Sequence, residues 1–165
     1  MGTIRFRQAK AWDAKTILEI KQAAIDSIET DEYTDEQLQA WRPDDNAIGD
    51  FRRAIRSDRF VILLAEDRDE PAGYGVLNTK KNRIDAIFIH PDHFGKGIAS
   101  SLVKQFETRA RMQELPEIKI VASMNARSFY QSLDYWDFGT NTRTINGTEI
   151  EFAIMRKMFD FNRQE

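Results

Sequence analysis

The sequence predicts one α+β domain built on a mixed sheet, and three observations carry that prediction. Short apolar and β-branched runs recur at residues 60–65, 72–77, 84–89 and 118–122, the length and composition of strands. Apolar residues at helical spacing mark core-facing helices before and after them, with Ile98, Leu102, Phe106 and Ala110 as the clearest stripe. Finally, 165 residues suit a single domain with a sizeable core, and the chain has no repeats, low-complexity tracts or linker.

Taken in order, residues 4–7 alternate apolar and charged side chains as a first strand does. Trp12, Ile17, Ile20, Ala24 and Ile28 then recur at helical spacing. A second helical zone covers 37–41, stops at Pro43 and resumes over 48–55. Residues 60–65 form a compact strand, 67–71 a turn, and 72–77 the partner strand of a hairpin. The strand at 84–89 is ended by His90-Pro91. Pro116 closes the helix that carries the Ile98 stripe, and a β-branched strand follows at 118–122. Residues 126–133 read as helix ending near Asp134, and 135–138 and 150–158 as the last strands, with a turn at Asn146-Gly147.

Composition narrows the function. The formal charge of −3 sets up no global field for nucleic acid or an anionic membrane. With no cysteine there is no disulfide, thiolate zinc site or cysteine nucleophile, and two histidines, His90 and His93, argue against a histidine-rich metal site. The start, MGTIRFRQAK, has no apolar signal core, Phe6 spoils the acylation pattern that begins at Gly2, and the longest apolar run, 60–65, is too short to cross a bilayer. The expectation is a soluble cytoplasmic protein with no nucleic-acid or membrane partner.

The stretch IFIHPDHFGKGIASSLV places Gly95-Lys96-Gly97 between a strand and a helix. Glycine lets backbone amides approach a ligand, and a helix start offers unpaired N–H groups and partial positive charge. The combination is a phosphate cradle, with Lys96 as a flexible counter-charge. A Walker A loop needs Ser or Thr after the lysine, where Gly97 stands, and a dinucleotide fingerprint needs a third glycine where Ser100 stands. A tight turn with no ligand is the plain structural alternative.

Ile89-x-Pro91 followed by Phe94-x-x-Gly97-x-Ala99 resembles motif A of the GNAT superfamily of N-acetyltransferases, usually Gln/Arg-x-x-Gly-x-Gly/Ala, with Phe94 departing from it. SFYQSLDY at 128–135 resembles a later GNAT motif and puts Tyr130 on its tyrosine, while Asp134 replaces its glycine. DEYTDEQLQAWRP at 31–43 is similar to a stretch of a bacterial subgroup described as YafP-like, as is Ile84-Asp85. The resemblance spans nearly the whole chain. It implies a single domain over 1–165, with a mixed, mostly antiparallel sheet of six to seven strands flanked by helices.

The resemblance also implies acetyl-CoA as cofactor and direct acetyl transfer to a primary amine of a small molecule, polyamine or peptide, without a metal. Ile87, Phe88 and Ile89 would run beside the pantetheine arm, and the Ile89 N–H would polarise the thioester oxygen. Phe94, Gly95, Lys96, Gly97, Ile98, Ala99 and Ser100 would hold the pyrophosphate. Tyr130 would touch the cofactor and protonate the leaving thiolate. Ser123 and Asn125 fit either a cofactor contact or a helix cap. Family members are often dimers, which makes a homodimer a further expectation.

Strand alternation puts Asp85 on one face with Ile87 and Ile89, a general base or amine anchor in one reading and a strand-end charge in the other. His90 is turned away from Ile89 by the same alternation, and His93 reads as surface loop. Nine Asp and Glu residues crowd residues 26–50, with Arg42 as the sole Lys or Arg. They form either a solvated helical face or an acidic rim that attracts a cationic amine. Tyr33 and Trp41 among them are core plugs or an acceptor-binding wall. A non-catalytic acyl-CoA sensor or partner-binding module on the same fold is the alternative to an enzyme.

Overall fold

The computed structural model describes residues 3–159, so Gly2 and the outer bounds of the 1–165 domain lie outside the described residues. Seven strands form one sheet: β1 (Ile4–Gln8), β2 (Phe60–Asp67), β3 (Glu70–Asn78), β4 (Arg83–Ile89), β5 (Glu117–Ser123), β6 (Trp136–Ile145) and β7 (Thr148–Met158). They lie in the order β1-β2-β3-β4-β5-β7-β6. Among the described residues only the β4–β5 pair is parallel, so the sheet is mixed and mostly antiparallel, as expected.

Five helices pack around it: α1 (Ala14–Asp26), α2 (Asp35–Trp41), α3 (Ile48–Arg56), α4 (Ile98–Met112) and α5 (Arg127–Gln131). Leu102, Phe106 and Ala110 of the Ile98 stripe are buried, and Phe106 packs with Ile84, Ile118 and Ile120 of the sheet. On the opposite face Ile17 and Ile20 of α1 join Ile62, Leu64 and Tyr74, with Phe51 of α3 and Phe88 against them. Thr34 begins α2 with a capping box, its hydroxyl accepting from the Gln37 N–H at 3.1 Å.

Three boundaries differ from the sequence reading. Trp12 lies in a 3-10 turn ahead of α1 and is 78% exposed, so it is no part of the buried stripe, and Ile28 lies beyond the helix end. The β2–β3 turn is confined to Arg68 and Asp69, both at positive φ, and the strands run on to either side of it. β6 extends to Ile145 although its residues 139–144 are Gly, Thr, Asn, Thr, Arg and Thr. It is an edge strand whose exposed polar side chains show no buried alternation.

Candidate active site

The site lies where the sheet opens. β4 and β5 pair at only two positions, Arg83↔Lys119 and Ile84↔Ile120. At that point β4 has a bulge: Leu77 of β3 faces Ile84 and Val76 faces Ala86, leaving Asp85 as the extra residue. A bulge bends its strand and breaks the alternation of side chains. Beyond it β4 separates from β5, and a cavity of about 510 Å³ fills the gap, lined by Asp85, Ala86, Ile87 and Phe88 on one side and Val121, Ala122 and Ser123 on the other.

The bulge corrects the expected grouping of Asp85 with Ile87 and Ile89. Ile89 packs with Ile98 and Leu102 beneath α4, and Ile87 with that helix side too. Ala86 and Phe88 pack on the α1 and α3 side. Asp85 faces the cavity and shares a charge-assisted hydrogen bond with the Arg83 guanidinium through Oδ1.

Backbone alternation gives β4 a second property. The His90 N–H donates to the Ala72 carbonyl at 2.8 Å, so alternate residues Phe88 and Ala86 also turn their N–H groups toward β3. Ile87 and Ile89 therefore turn theirs toward the gap, where no strand among the described residues pairs with them. A strand edge of this kind accepts an extended ligand as it would another strand.

Tyr130 lines the same cavity from α5. The residue is only 6% exposed, and its hydroxyl has no hydrogen-bond partner among the described residues. Burial pushes the phenol above its ordinary range, so it holds its proton at neutral pH. A protonated, unpartnered hydroxyl in a cavity is a donor waiting for an acceptor.

At the other end of β4, Gly97 stands at the N-terminus of α4 with φ 74°, the left-handed conformation in which a side chain is strained. A Cβ on Gly95 or Gly97 would meet no atom within 4 Å, so the loop borders open space. The amides of Ile98, Ala99 and Ser100 precede the first α-helical bond, made by the Ser101 N–H to the Gly97 carbonyl at 3.0 Å. No acidic residue stands in the first turn of α4 to repel an anion. The cradle geometry fits a pyrophosphate.

Several side chains stand elsewhere than the sequence reading put them. Lys96 is no free counter-charge: its ammonium pairs with the Asp67 carboxylate, and Lys96 holds that carboxyl below the ordinary range. His93 is buried rather than on the surface, with Nδ1 at 3.1 Å from Asp67 Oδ2. The Phe94 N–H already donates to the Pro91 carbonyl at 3.2 Å, and its ring is 56% exposed. Ser123 holds a cap position without making a cap hydrogen bond and lines the cavity, while Asn125 is exposed and outside it.

Trp41 lines the cavity, with its ring 5.6 Å from that of Phe88. Tyr33 does not: it is buried against Ile150 and Phe152, its hydroxyl donating to the Glu151 carbonyl at 2.6 Å and accepting from the Met124 N–H at 2.9 Å. It is a core plug because both hydrogen-bonding directions of its hydroxyl are used inside the fold. The sequence reading missed Lys21 of α1 and Arg143 of β6, which line the same cavity. Each is a single cation in an unremarkable polar context, and only the fold brings them together.

The match to known proteins agrees with this architecture. Residues 29–159 match the family model for the acetyltransferase (GNAT) domain. The chain belongs to the GNAT acetyltransferase family. A GCN5-related N-acetyltransferase from Rhodopseudomonas palustris superposes with a TM-score of 0.86 at 28% identity, covering 96% of this chain and 98% of that one. The N-acetyltransferase YafP of Escherichia coli K12 is 23% identical over 131 residues, 79% of this chain and 80% of the relative. The PaiA N-acetyltransferase of Thermoplasma acidophilum, solved in complex with coenzyme A, shares the fold at a TM-score of 0.72 and 18% identity, covering 94% and 99% of the two chains. As a GNAT protein the chain is an N-acetyltransferase. Among the described residues no helix is long and apolar enough to cross a membrane.

Proposed function

We propose that this GNAT enzyme transfers the acetyl group of acetyl-CoA directly to a primary amine of a small molecule, polyamine or peptide, within one domain. The observation that carries the reading is the gap between β4 and β5, which joins a strand edge, a protonated tyrosine and a carboxylate in one cavity. When bound, acetyl-CoA supplies an activated acetyl thioester. The amides of residues 97–100 hold the pyrophosphate, and the gap-facing backbone of Ile87 and Ile89 aligns the pantetheine arm. The Ile89 N–H stabilises charge on the thioester oxygen, a role that depends on the backbone alone. Tyr130 Oη holds the proton for the leaving sulfur, and Asp85 Oδ2, which Arg83 leaves free, receives the proton of the amine.

Thermal melts with acetyl-CoA, beside ATP and NAD, test the cofactor. At a hundredfold over Kd, acetyl-CoA adds about 2.7 kcal/mol, roughly 5–11 °C for a chain of this size. Tyr130→Phe then tests the chemistry. It should keep acetyl-CoA affinity and lose turnover by about 10²-fold or more, the usual contribution of a general acid. A melt that responds to acetyl-CoA with no acetylation of any amine would favour a sensor, and no response at all would refute the cofactor site.

A further inference from the structure

The charges inside the cavity sort the amine acceptors. Arg7, Arg42, Arg53, Arg83 and Lys157 each have a carboxylate partner within 4 Å. Lys21 and Arg143, which line the cavity, have none among the described residues. The Lys21 ammonium lies 5.3 Å from the centre of the Phe88 ring, and the Arg143 guanidinium 5.7 Å from that of Phe152. Both residues are half-buried, so each cation has lost water without gaining a counter-ion.

The two cations also repel each other. Desolvation first, and the Arg143 charge second, lower the Lys21 ammonium to about 8. An anion between them would relieve both effects at once. The carboxylates of the cavity, Asp44, Asp50 and Asp85, belong to the α2–α3 connection, α3 and β4. The chamber thus presents both signs of charge rather than the purely acidic rim suggested by the density of Asp and Glu before residue 50.

We propose that the acceptor is a zwitterion, a primary amine bearing a carboxylate, whose carboxylate is received by Lys21 and Arg143. This rests on the acetyl-transfer reading above. The Arg143 guanidinium offers the planar donor fork that a carboxylate matches, and Lys21 a compact second charge. Asp44, which has no cationic partner among the described residues, and the free oxygen of Asp85 complement the ammonium end of the acceptor before it gives up its proton, whereas Asp50 is paired with Arg53. A polyamine is a poor occupant, because its second ammonium would meet two unpaired cations.

The test pairs each amino acid of a panel with the amine left when its carboxyl is removed, and adds aminoethyl phosphate as a phosphate-bearing amine. The carboxylated member of the preferred pair should win by about tenfold or more in kcat/KM, the worth of a charge-assisted contact. Lys21→Met and Arg143→Met should each erase most of that preference, chiefly through KM. A preference for the decarboxylated amines, polyamines or the phosphate, or one that survives both substitutions, would overturn the proposal.

A second readout needs neither cofactor nor turnover. In the wild-type protein, NMR titration of the Lys21 ammonium should move to higher pH on adding N-acetyl amino acids but not their amides. No such movement across the panel overturns the anion site. A melt with acetyl-CoA on the same sample reports separately on whether the acetyl-transfer reading holds.

Discussion

Replacing Lys21 by Met should make the protein more stable. Lys21 titrates near 8 in the folded chain against an ordinary 10.5. Between those values the unfolded chain binds the proton that the folded chain has released, so wild-type stability rises with pH through this window and is lowest below it. At about 1.4 kcal/mol per pH unit, the penalty at pH 7 has a ceiling of about 3 kcal/mol. The side chain is only half-buried, and screening by water and salt reduces the expected gain to about 1–2 kcal/mol. Methionine keeps the apolar stem that packs in the cavity wall and removes the charge.

For a chain of this length the gain corresponds to about 2–8 °C in Tm. Melts at pH 7 and at pH 10 separate charge from packing. The variant's advantage should be largest at pH 7 and shrink toward zero as the wild-type lysine loses its proton. A variant less stable than wild type at pH 7, or an advantage independent of pH, would refute the picture of a half-buried cation that lacks a counter-ion. A residue whose removal stabilises the fold is one retained for a purpose other than folding.

Gly97→Ala should cost about 1–2 kcal/mol from the left-handed backbone alone; Gly147→Ala, at φ 80° in the β6–β7 turn, should cost the same. Only the Gly97 variant should lose acetyl-CoA affinity in a binding titration, since only it adds a methyl to the cradle, and equal affinities would remove the cradle assignment. Tyr33→Phe leaves the Glu151 carbonyl and the Met124 N–H without their shared partner and should lower stability in denaturant melts by about 1–3 kcal/mol. Asp85→Asn should slow acetyl transfer most strongly below the pKa of the amine, and an unchanged pH–rate profile would exclude it as the base.

The fold and the glycine loop at the start of α4 were legible because both are written locally. A period of 3.6 in residues 98–110 and compact β-branched runs at 60–65 and 118–122 announce their elements without reference to the rest of the chain. Gly95, Gly97 and Ala99 mark the cradle in the same way, since close backbone approach requires small residues at fixed spacing. β6 escaped because its pattern is set by an edge position with little buried face. His93 escaped because its burial depends on Asp67, 26 residues earlier in the chain.

The acceptor half was legible only in part: Trp41 and Asp85 line the cavity, but Tyr33, Lys21 and Arg143 were misplaced or missed, and the setting of Asp85 depends on the single extra residue there. A period-2 reading of residues 84–89 assumes an unbroken ladder, and a bulge is a property of two strands together. Once Asp85 is the unpaired residue, the carboxylate leaves the face of Ile87 and Ile89 and meets the cavity that also receives Lys21 and Arg143. Those two cations come from elements 122 positions apart, so neither spacing nor composition relates them. The count of acidic residues near the N-terminus measures charge along the chain, whereas an acceptor meets the charges that the fold turns inward. In this GNAT domain the inward set includes Lys21 and Arg143, which have no carboxylate partner among the described residues, and the proposed selection for a carboxylated amine follows from them rather than from the acidic surface.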